Sequence, residues 1–431
     1  MPYQSPISPG YSWYEATAGE RPEYPVLDGD RVCDVVVIGG GFTGLSAAAH
    51  LAKAGVNVVL IEQARFGDGA SGRNGGQMGT GQRAWPEDQE EEIGRERAQA
   101  LFSIAEDAKR HMHDFAETHG IDIGYRPGQL SVVHKKRYLK DYRKHAEVMA
   151  ERYGYPHISF MDRAETAQRV GSSFFHGGVR DTGTGHINPL KLVIGTARVA
   201  AENGAQIFEN TKATRIHKVG DRVVVATEKG VINADRALVA VNAYGDAKLE
   251  PVSAAHVMPI RSFIGATEPL TGAMKDKLIP GGESIDDSRF VVRYFRKYGD
   301  DRLLFGGREA YTADNPRDIA RHIRKQIAEI YPELSDVEIS HAWGGSVGIT
   351  MPREPFAREV MPGVTSLGGF SGHGVMLSHF TGRLYAEAVT GDNARLQHLR
   401  DLKVPAFPGG RSFRKPMLTL ALTWYAMLDR L

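Results

Sequence analysis

After a polar, proline-containing arm (1–30), residues 33–38 (CDVVVI), apolar but for Asp34, have the pattern of a short strand buried on both faces. Residues 39–44 (GGGFTG) predict a turn, 45–54 (LSAAAHLAKA) a helix stopped by Gly55, and 56–62 (VNVVLIE) a second buried strand. This is one βαβ unit. Residues 67–80 (GDGASGRNGGQMGT) follow as a glycine-rich loop too long for a simple connection. From Trp85 to about 120 the chain is charged and helix-forming, and its acidic opening at 87–92 suits the positive end of a helix.

Residues 128–133 read as a strand of another sheet, 177–189 as loop and 190–201 as helix. Short strands are expected at 207–208, 214–217, 223–227 and 231–240, then at 261–267, 290–294 and 302–307, with a helix near 318–330. The last third returns to glycine: Trp343-Gly344-Gly345, an apolar run at 364–370, and Ser371-Gly372-His373-Gly374 opening a helix to 389. The expected fold is mixed α/β (α+β). A Rossmann-type nucleotide domain (31–90, 186–250, 340–400) is interleaved with an antiparallel-sheet substrate domain (91–185, 251–339), and a tail (401–431) carries an apolar helix.

Composition narrows the class. Lys plus Arg (53) balances Asp plus Glu (52), so no global field recruits nucleic acid. One cysteine, Cys33, excludes an internal disulfide or a multi-thiolate metal site. His111 and His113 do not make a metal site either, since residues two apart on a helix diverge. The N-terminus shows no secretory signal, and no apolar run reaches the ~20 residues of a membrane span. A cytoplasmic monomer or homodimer is the expectation, with residues 416–428 packed on the body or a second subunit in preference to a membrane surface.

Gly39, Gly41 and Gly44 lie between the first strand and helix. The first glycine permits the tight turn, the second lets backbone approach a pyrophosphate, and the third lets helix and strand pack closely. Phe42 and Thr43 complete the turn, whose free N–H groups face the anion. Glu62 ends the next strand about twenty residues on, where its carboxylate accepts from ribose hydroxyls and disfavours a 2′-phosphate. FAD and NAD both satisfy this pattern. Gln63, Arg65 and the run Ala70-Ser71-Gly72-Arg73-Asn74-Gly75-Gly76-Gln77 add a dense set of donors just after the adenosine strand, which favours the longer FAD.

Residues 36–47 (VVIGGGFTGLSA) with 69–77 (GASGRNGGQ) resemble the D-amino-acid-oxidase-like (DAO) family of flavoproteins, and more narrowly its γ-glutamylputrescine oxidase branch. The likeness continues through 185–190 (GHINPL), 242–244 (NAY), 302–307 (RLLFGG), 371–375 (SGHGV) and 407–411 (FPGGR). It implies that Glu62 holds the adenosine ribose and that Ser71 to Gly75 line the pyrophosphate and flavin edge. Ala213 would read adenine through its backbone, and Asn242 and Ala243 would pack near the pyrophosphate or ribose. Gly369, Gly372, His373, Gly374 and Val375 would lie beside the ribityl chain and pyrimidine ring. A helix start there also stabilises negative charge on reduced flavin.

The departures are as informative. No cysteine or histidine stands in the 67–77 loop, so the resemblance implies non-covalent FAD. Val347 takes the place where the glycine-oxidase-like branch has a carboxylate-binding arginine, which disfavours a small α-amino acid. The implied reaction is oxidation of a small amine, with hydride passing to flavin N5, imine hydrolysed to aldehyde, and electrons passed to O2 or another acceptor. Tyr294, Phe295, Arg296, Arg308 and Trp343 are the candidate substrate residues, the arginines for a distant carboxylate. Tyr294, Arg296, Trp343 and His373 are the ones expected at the reacting centre. Rival readings are an FAD dehydrogenase of a cyclic or N-methylated amino acid, an NAD-dependent dehydrogenase, and a non-catalytic FAD-binding subunit.

Overall fold

The computed structural model describes residues 3–310 and 319–408, with no side-chain placement at 308–310. Two sheets organise these residues. In the first, strands Val364–Gly368, Val231–Val239, Arg31–Ile38, Val58–Ile61 and Gln206–Phe208 run parallel in that order. Phe356–Met361 closes one edge antiparallel, and the hairpin Arg215–Val219/Arg222–Ala226 branches from Val231–Val239. Register pairs Val36 with Val59 and with Ala237, so the apolar run lies at the centre of the sheet and is buried on both faces.

Helix Phe42–Lys53 crosses this sheet between helices Val375–Thr390 and Pro189–Glu202. Its run of Ala47, Ala48 and Ala49 presents only methyl groups, which lets three layers approach closely. Gly382 faces it: a Cβ there would collide with the Thr43 carbonyl and sit 2.8 Å from Ala47 N.

The second sheet has the order Gly10–Tyr11, Ile339–Ile349, Met258–Thr267, Arg302–Ala310, Tyr294–Tyr298, Ser284–Asp287, Arg126–Val132, Gly178–His186, Ile158–Met161. All pairings are antiparallel except that of Ser284–Asp287 with Arg126–Val132. Helix Ile319–Ile330 covers its outer face, burying Ile323, Ile327 and Ile330 against Phe295, Phe305 and Leu303.

Several expectations need correction. Residues 177–189 are not loop, because Gly178–His186 is a nine-residue strand. Strand 290–294 is displaced to Tyr294–Tyr298. Ile339–Ile349, counted with the nucleotide domain from 340, belongs to the second sheet. Helix Arg95–Thr118, assigned to the substrate side, packs Leu101, Ile104, Met112 and Phe115 into the core shared with Leu45 and Leu384. Within the arm, Gly10 and Tyr11 pair with Trp343 and Ala342, and Ser12 caps helix Trp13–Thr17. Among the described residues no helix is long and apolar enough to cross a membrane. The tail helix expected at 416–428 lies outside the described residues.

Candidate active site

Strand Arg31–Ile38 ends at Gly39, whose φ of +114° suits glycine and where a Cβ would sit 2.7 Å from the Ala240 carbonyl. Gly41 is the N-cap of helix Phe42–Lys53 and has no side-chain cap of its own. Instead Phe42 N donates to Ser71 Oγ at 2.9 Å, tying the helix start to the glycine-rich loop. A Cβ on Gly44 would collide with the Gly39 carbonyl, so this glycine sets the helix-to-strand distance.

Glu62 is half-buried at the rim of the same turn. Its Oε2 accepts from Gly40 N at 2.7 Å and its Oε1 from Ala64 N at 3.0 Å. Burial pushes its pKa up and these two N–H groups pull it down. Each carboxylate oxygen keeps acceptor capacity for a hydroxyl.

Around this turn lies a cavity of about 360 Å³. Gly39, Gly41, Glu62, Gln63, Ala70 and Ser71 form one side, and Ala213 and Asn242 the other. A second cavity, of about 540 Å³, shares Ala70 with the first and so continues it. Its wall takes Arg73, Asn74, Gly75, Gly76 and Gln77 from the loop, Gly372, His373 and Val375 from the last helix start, and Tyr294 from the second sheet. The groove thus runs from a strand–turn–helix nucleotide site to the face of the antiparallel sheet. An extended dinucleotide fits this run better than a mononucleotide.

The remaining predicted residues support the walls from behind. Phe42, Thr43, Gly44 and Gly72 are buried packing positions. Gly369 donates its N–H to Asn242 Oδ1 at 2.9 Å, holding the turn Asn242–Tyr244 that contains Ala243. Gly374 caps helix Val375–Thr390 with no side-chain acceptor, so the first-turn N–H groups there have no side-chain cap. Arg65 does not reach the groove: its guanidinium stacks on Tyr3 at 4.7 Å and donates to the Arg21 carbonyl. The Arg73 side chain is likewise committed, donating to the carbonyls of Gly344, Pro9 and Gly10.

Three substrate assignments are corrected. Trp343 is fully buried, its indole N–H donating to the Arg73 carbonyl at 2.9 Å, so it clamps the loop from beneath. Arg296 is 2% exposed and lies behind Gly76, bonded to His186 and, at 2.8 Å, to the Tyr14 hydroxyl. Phe295 points to the opposite face of the sheet and stacks on Phe305. The Arg308 side chain lies outside the described part of the structure.

Tyr294 and His373 do face the second cavity. The Tyr294 ring lies across Gly75 and Gly306, and its hydroxyl is 3.2 Å from Ser262 Oγ. His373 Nε2 is 3.1 Å from the Gly81 carbonyl. Burial lowers its pKa to about 4, so the ring is neutral at pH 7 and donates that hydrogen bond.

Sequence reading missed four groups. Tyr244 lines the first cavity and accepts from Ser346 N at 2.8 Å. Asp286, Gln129 and Arg83 line the second. A signal existed for Asp286: in the run Ser284-Ile285-Asp286-Asp287, Ile285 is core, and alternation turns Asp286 to the other face.

Fold and groove together define a dinucleotide-binding protein of the Rossmann type, with a second cavity facing an antiparallel sheet. The chain belongs to the DAO family of FAD-dependent oxidoreductases, whose model matches residues 34–388. It is 65% identical over 430 residues, all of both chains, to a probable oxidoreductase OrdL of Rhizobium meliloti. It is 35% identical over 420 residues to the γ-glutamylputrescine oxidoreductase of Escherichia coli, covering 97% of this chain and 98% of that one. Glycine oxidase from Geobacillus kaustophilus superposes with a TM-score of 0.71 at 22% identity, over 84% of this chain and 95% of that one. The chain is therefore an FAD-dependent oxidoreductase, of a family whose members take amine or amino-acid donors.

Proposed function

We propose that FAD lies along the groove without a covalent tether. In this reading adenosine occupies the first cavity against Glu62, Ala213 and Asn242. The pyrophosphate lies over the 39–44 turn and Ser71, and the isoalloxazine ring enters the second cavity between Asn74–Gln77 and Gly372–Val375. The redox reaction is oxidation of the terminal amine of a γ-glutamylputrescine-like polyamine derivative, in the direction of polyamine and putrescine breakdown. FAD supplies a two-electron acceptor for the C–H bond beside the nitrogen, the imine hydrolyses to an aldehyde, and O2 or another acceptor reoxidises the cofactor.

The chain's own part is positioning. Tyr294, Phe290, Val347, Ile260 and Met258 give an apolar wall that favours a neutral amine and excludes water. His373, held neutral, adds no positive charge to repel an ammonium group. The uncapped start of helix Val375–Thr390 favours negative charge beside it.

The observation carrying this reading is Val347. It lines the cavity wall, at the place where the resemblance to the glycine-oxidase-like branch would put a carboxylate-binding arginine. A longer amine, with its polar end remote from the ring, fits that wall, and the full-length likeness to a γ-glutamylputrescine oxidoreductase supports it. Steady-state assays of aldehyde and ammonia formation on γ-glutamylputrescine, putrescine, sarcosine, proline and pipecolate test it. Preference for γ-glutamylputrescine is expected; preference for sarcosine, proline or pipecolate would replace it with the cyclic or N-methyl amino-acid reading.

A further inference from the structure

The second cavity contains two opposite charges that do not neutralise each other. Asp286 stands on strand Ser284–Asp287, directly paired with Tyr294 on one side and Ser131 on the other, so it shares their face of the sheet. Gln129 Nε2 at 2.7 Å and Ser131 Oγ at 2.8 Å both donate to its Oδ1. Oδ2 has no hydrogen-bond partner among the described residues. Two donors fix the carboxylate's rotamer, and the second oxygen is left to the cavity.

Arg83 lines the same cavity. Its guanidinium makes no hydrogen bond or ion pair among the described residues, yet it acts electrostatically on both Asp286 and His373. Arg73, which also lines the cavity, is tied to three carbonyls. Arg353 is stacked on Phe290 at 4.3 Å. Within one half-open cavity, then, a carboxyl held by two donors and a guanidinium stand apart; burial raises the carboxyl's pKa, while its two donors and the Arg83 charge lower it. Leaving two such groups half-desolvated is unfavourable unless a ligand bearing both complementary charges completes them.

We infer that Asp286 and Arg83 form a recognition pair for an α-amino-acid head at the far end of the substrate, Asp286 taking its ammonium and Arg83 its carboxylate. This rests on the proposed oxidation of a γ-glutamyl amine and assigns the group that selects it. A γ-glutamyl group carries both charges on one carbon, whereas putrescine carries no carboxylate. The pair therefore separates a γ-glutamyl amine from the free diamine, a discrimination that an apolar wall does not supply.

The test uses the FAD-loaded protein under anaerobic conditions and a ligand that lacks the terminal amine, γ-glutamyl-n-butylamide, with binding measured by calorimetry and the flavin spectrum checked to stay oxidised. Two analogues delete one charge each: glutaryl-n-butylamide lacks the ammonium, and 4-aminobutanoyl-n-butylamide lacks the carboxylate. Wild-type protein should bind each analogue about 10- to 100-fold more weakly than the parent, the range for losing a charge-assisted hydrogen bond. In Asp286→Asn the ammonium deletion should cost less than about threefold, and in Arg83→Met the same should hold for the carboxylate deletion. FAD content and melting temperature equal to wild type confirm that the variants fold, and the wild-type comparison needs no variant.

Binding of all three ligands within about threefold of one another, or no binding of any, overturns the pair. So does discrimination that survives in the variants. Binding that discriminates as expected, in a protein whose flavin γ-glutamylputrescine does not reduce, keeps the pair and removes the oxidation reading. Reduction without discrimination does the reverse.

Discussion

Trp343→Phe separates a clamp from a catalytic contact. The indole N–H donates to the Arg73 carbonyl at 2.9 Å, and Trp343 is fully buried. Phenylalanine keeps the edge-on contact with Tyr14 at 5.4 Å but leaves that buried carbonyl without its donor, at a cost of about 1–3 kcal/mol. At roughly 2.1 cal/mol/K per residue, 431 residues give an unfolding entropy of about 0.9 kcal/mol/K, so the melting temperature falls by about 1–3 °C. The carbonyl belongs to the glycine-rich loop, so if FAD requires that loop in place the same cost appears in cofactor affinity. It should raise the FAD dissociation constant by about 5- to 160-fold. Fluorescence titration of the apoprotein with FAD measures this, and steady-state assays at saturating FAD give the Michaelis constant for the amine, which should be unchanged. Unchanged FAD affinity with a raised Michaelis constant would return Trp343 to the substrate wall and refute the clamp.

Glu62→Ala should weaken FAD by about tenfold or more through lost ribose acceptance and leave the Gly40 and Ala64 N–H groups without their acceptor; unaltered affinity in an FAD titration would remove Glu62 from the adenosine site. Arg296→Met should lower the melting temperature, since it strips His186 and the Tyr14 hydroxyl of a buried partner, while leaving the amine Michaelis constant within about twofold. A large rise in that constant at full FAD content would place Arg296 at the substrate. Acid should destabilise the fold early. Burial holds His50 and His373 near 4 and His379 near 3, below the 6.5 of the unfolded chain, so the unfolded state binds more protons as pH falls from 6.5 toward 4. Each such histidine then removes up to about 1.4 kcal/mol of stability per pH unit, and melting temperatures flat between pH 6.5 and 5 would contradict this.

The nucleotide half was legible because its signals are local. An apolar run, three glycines and Glu62 fall within thirty residues, and Val36, Gly44 and Glu62 occupy the positions that pattern required. The second sheet was harder, because its strands are defined by distant partners. In Asp181-Thr182-Gly183-Thr184-Gly185-His186 the glycines read as turn residues. They are extended instead, and a Cβ on Gly183 or Gly185 would run into the rings of His157 and Tyr125. Those rings come from elsewhere in the chain, so no local pattern reveals why the glycines are there. Arg296 misled for the opposite reason. Its charge suggested solvent or ligand, while the arm's Tyr14, 282 residues earlier, supplies a buried partner. Asp286 was not singled out because its strand is four residues long and pairs with Gln129 and Ser131, more than 150 residues away.

Anaerobic titration of the purified, FAD-loaded protein with γ-glutamylputrescine decides whether this amine reduces the flavin. Oxidised-flavin absorbance should disappear with one equivalent of amine per flavin, and an aldehyde should form in equal amount. A flavin that stays fully oxidised in excess γ-glutamylputrescine, yet is reduced by sarcosine, proline or pipecolate, would contradict it.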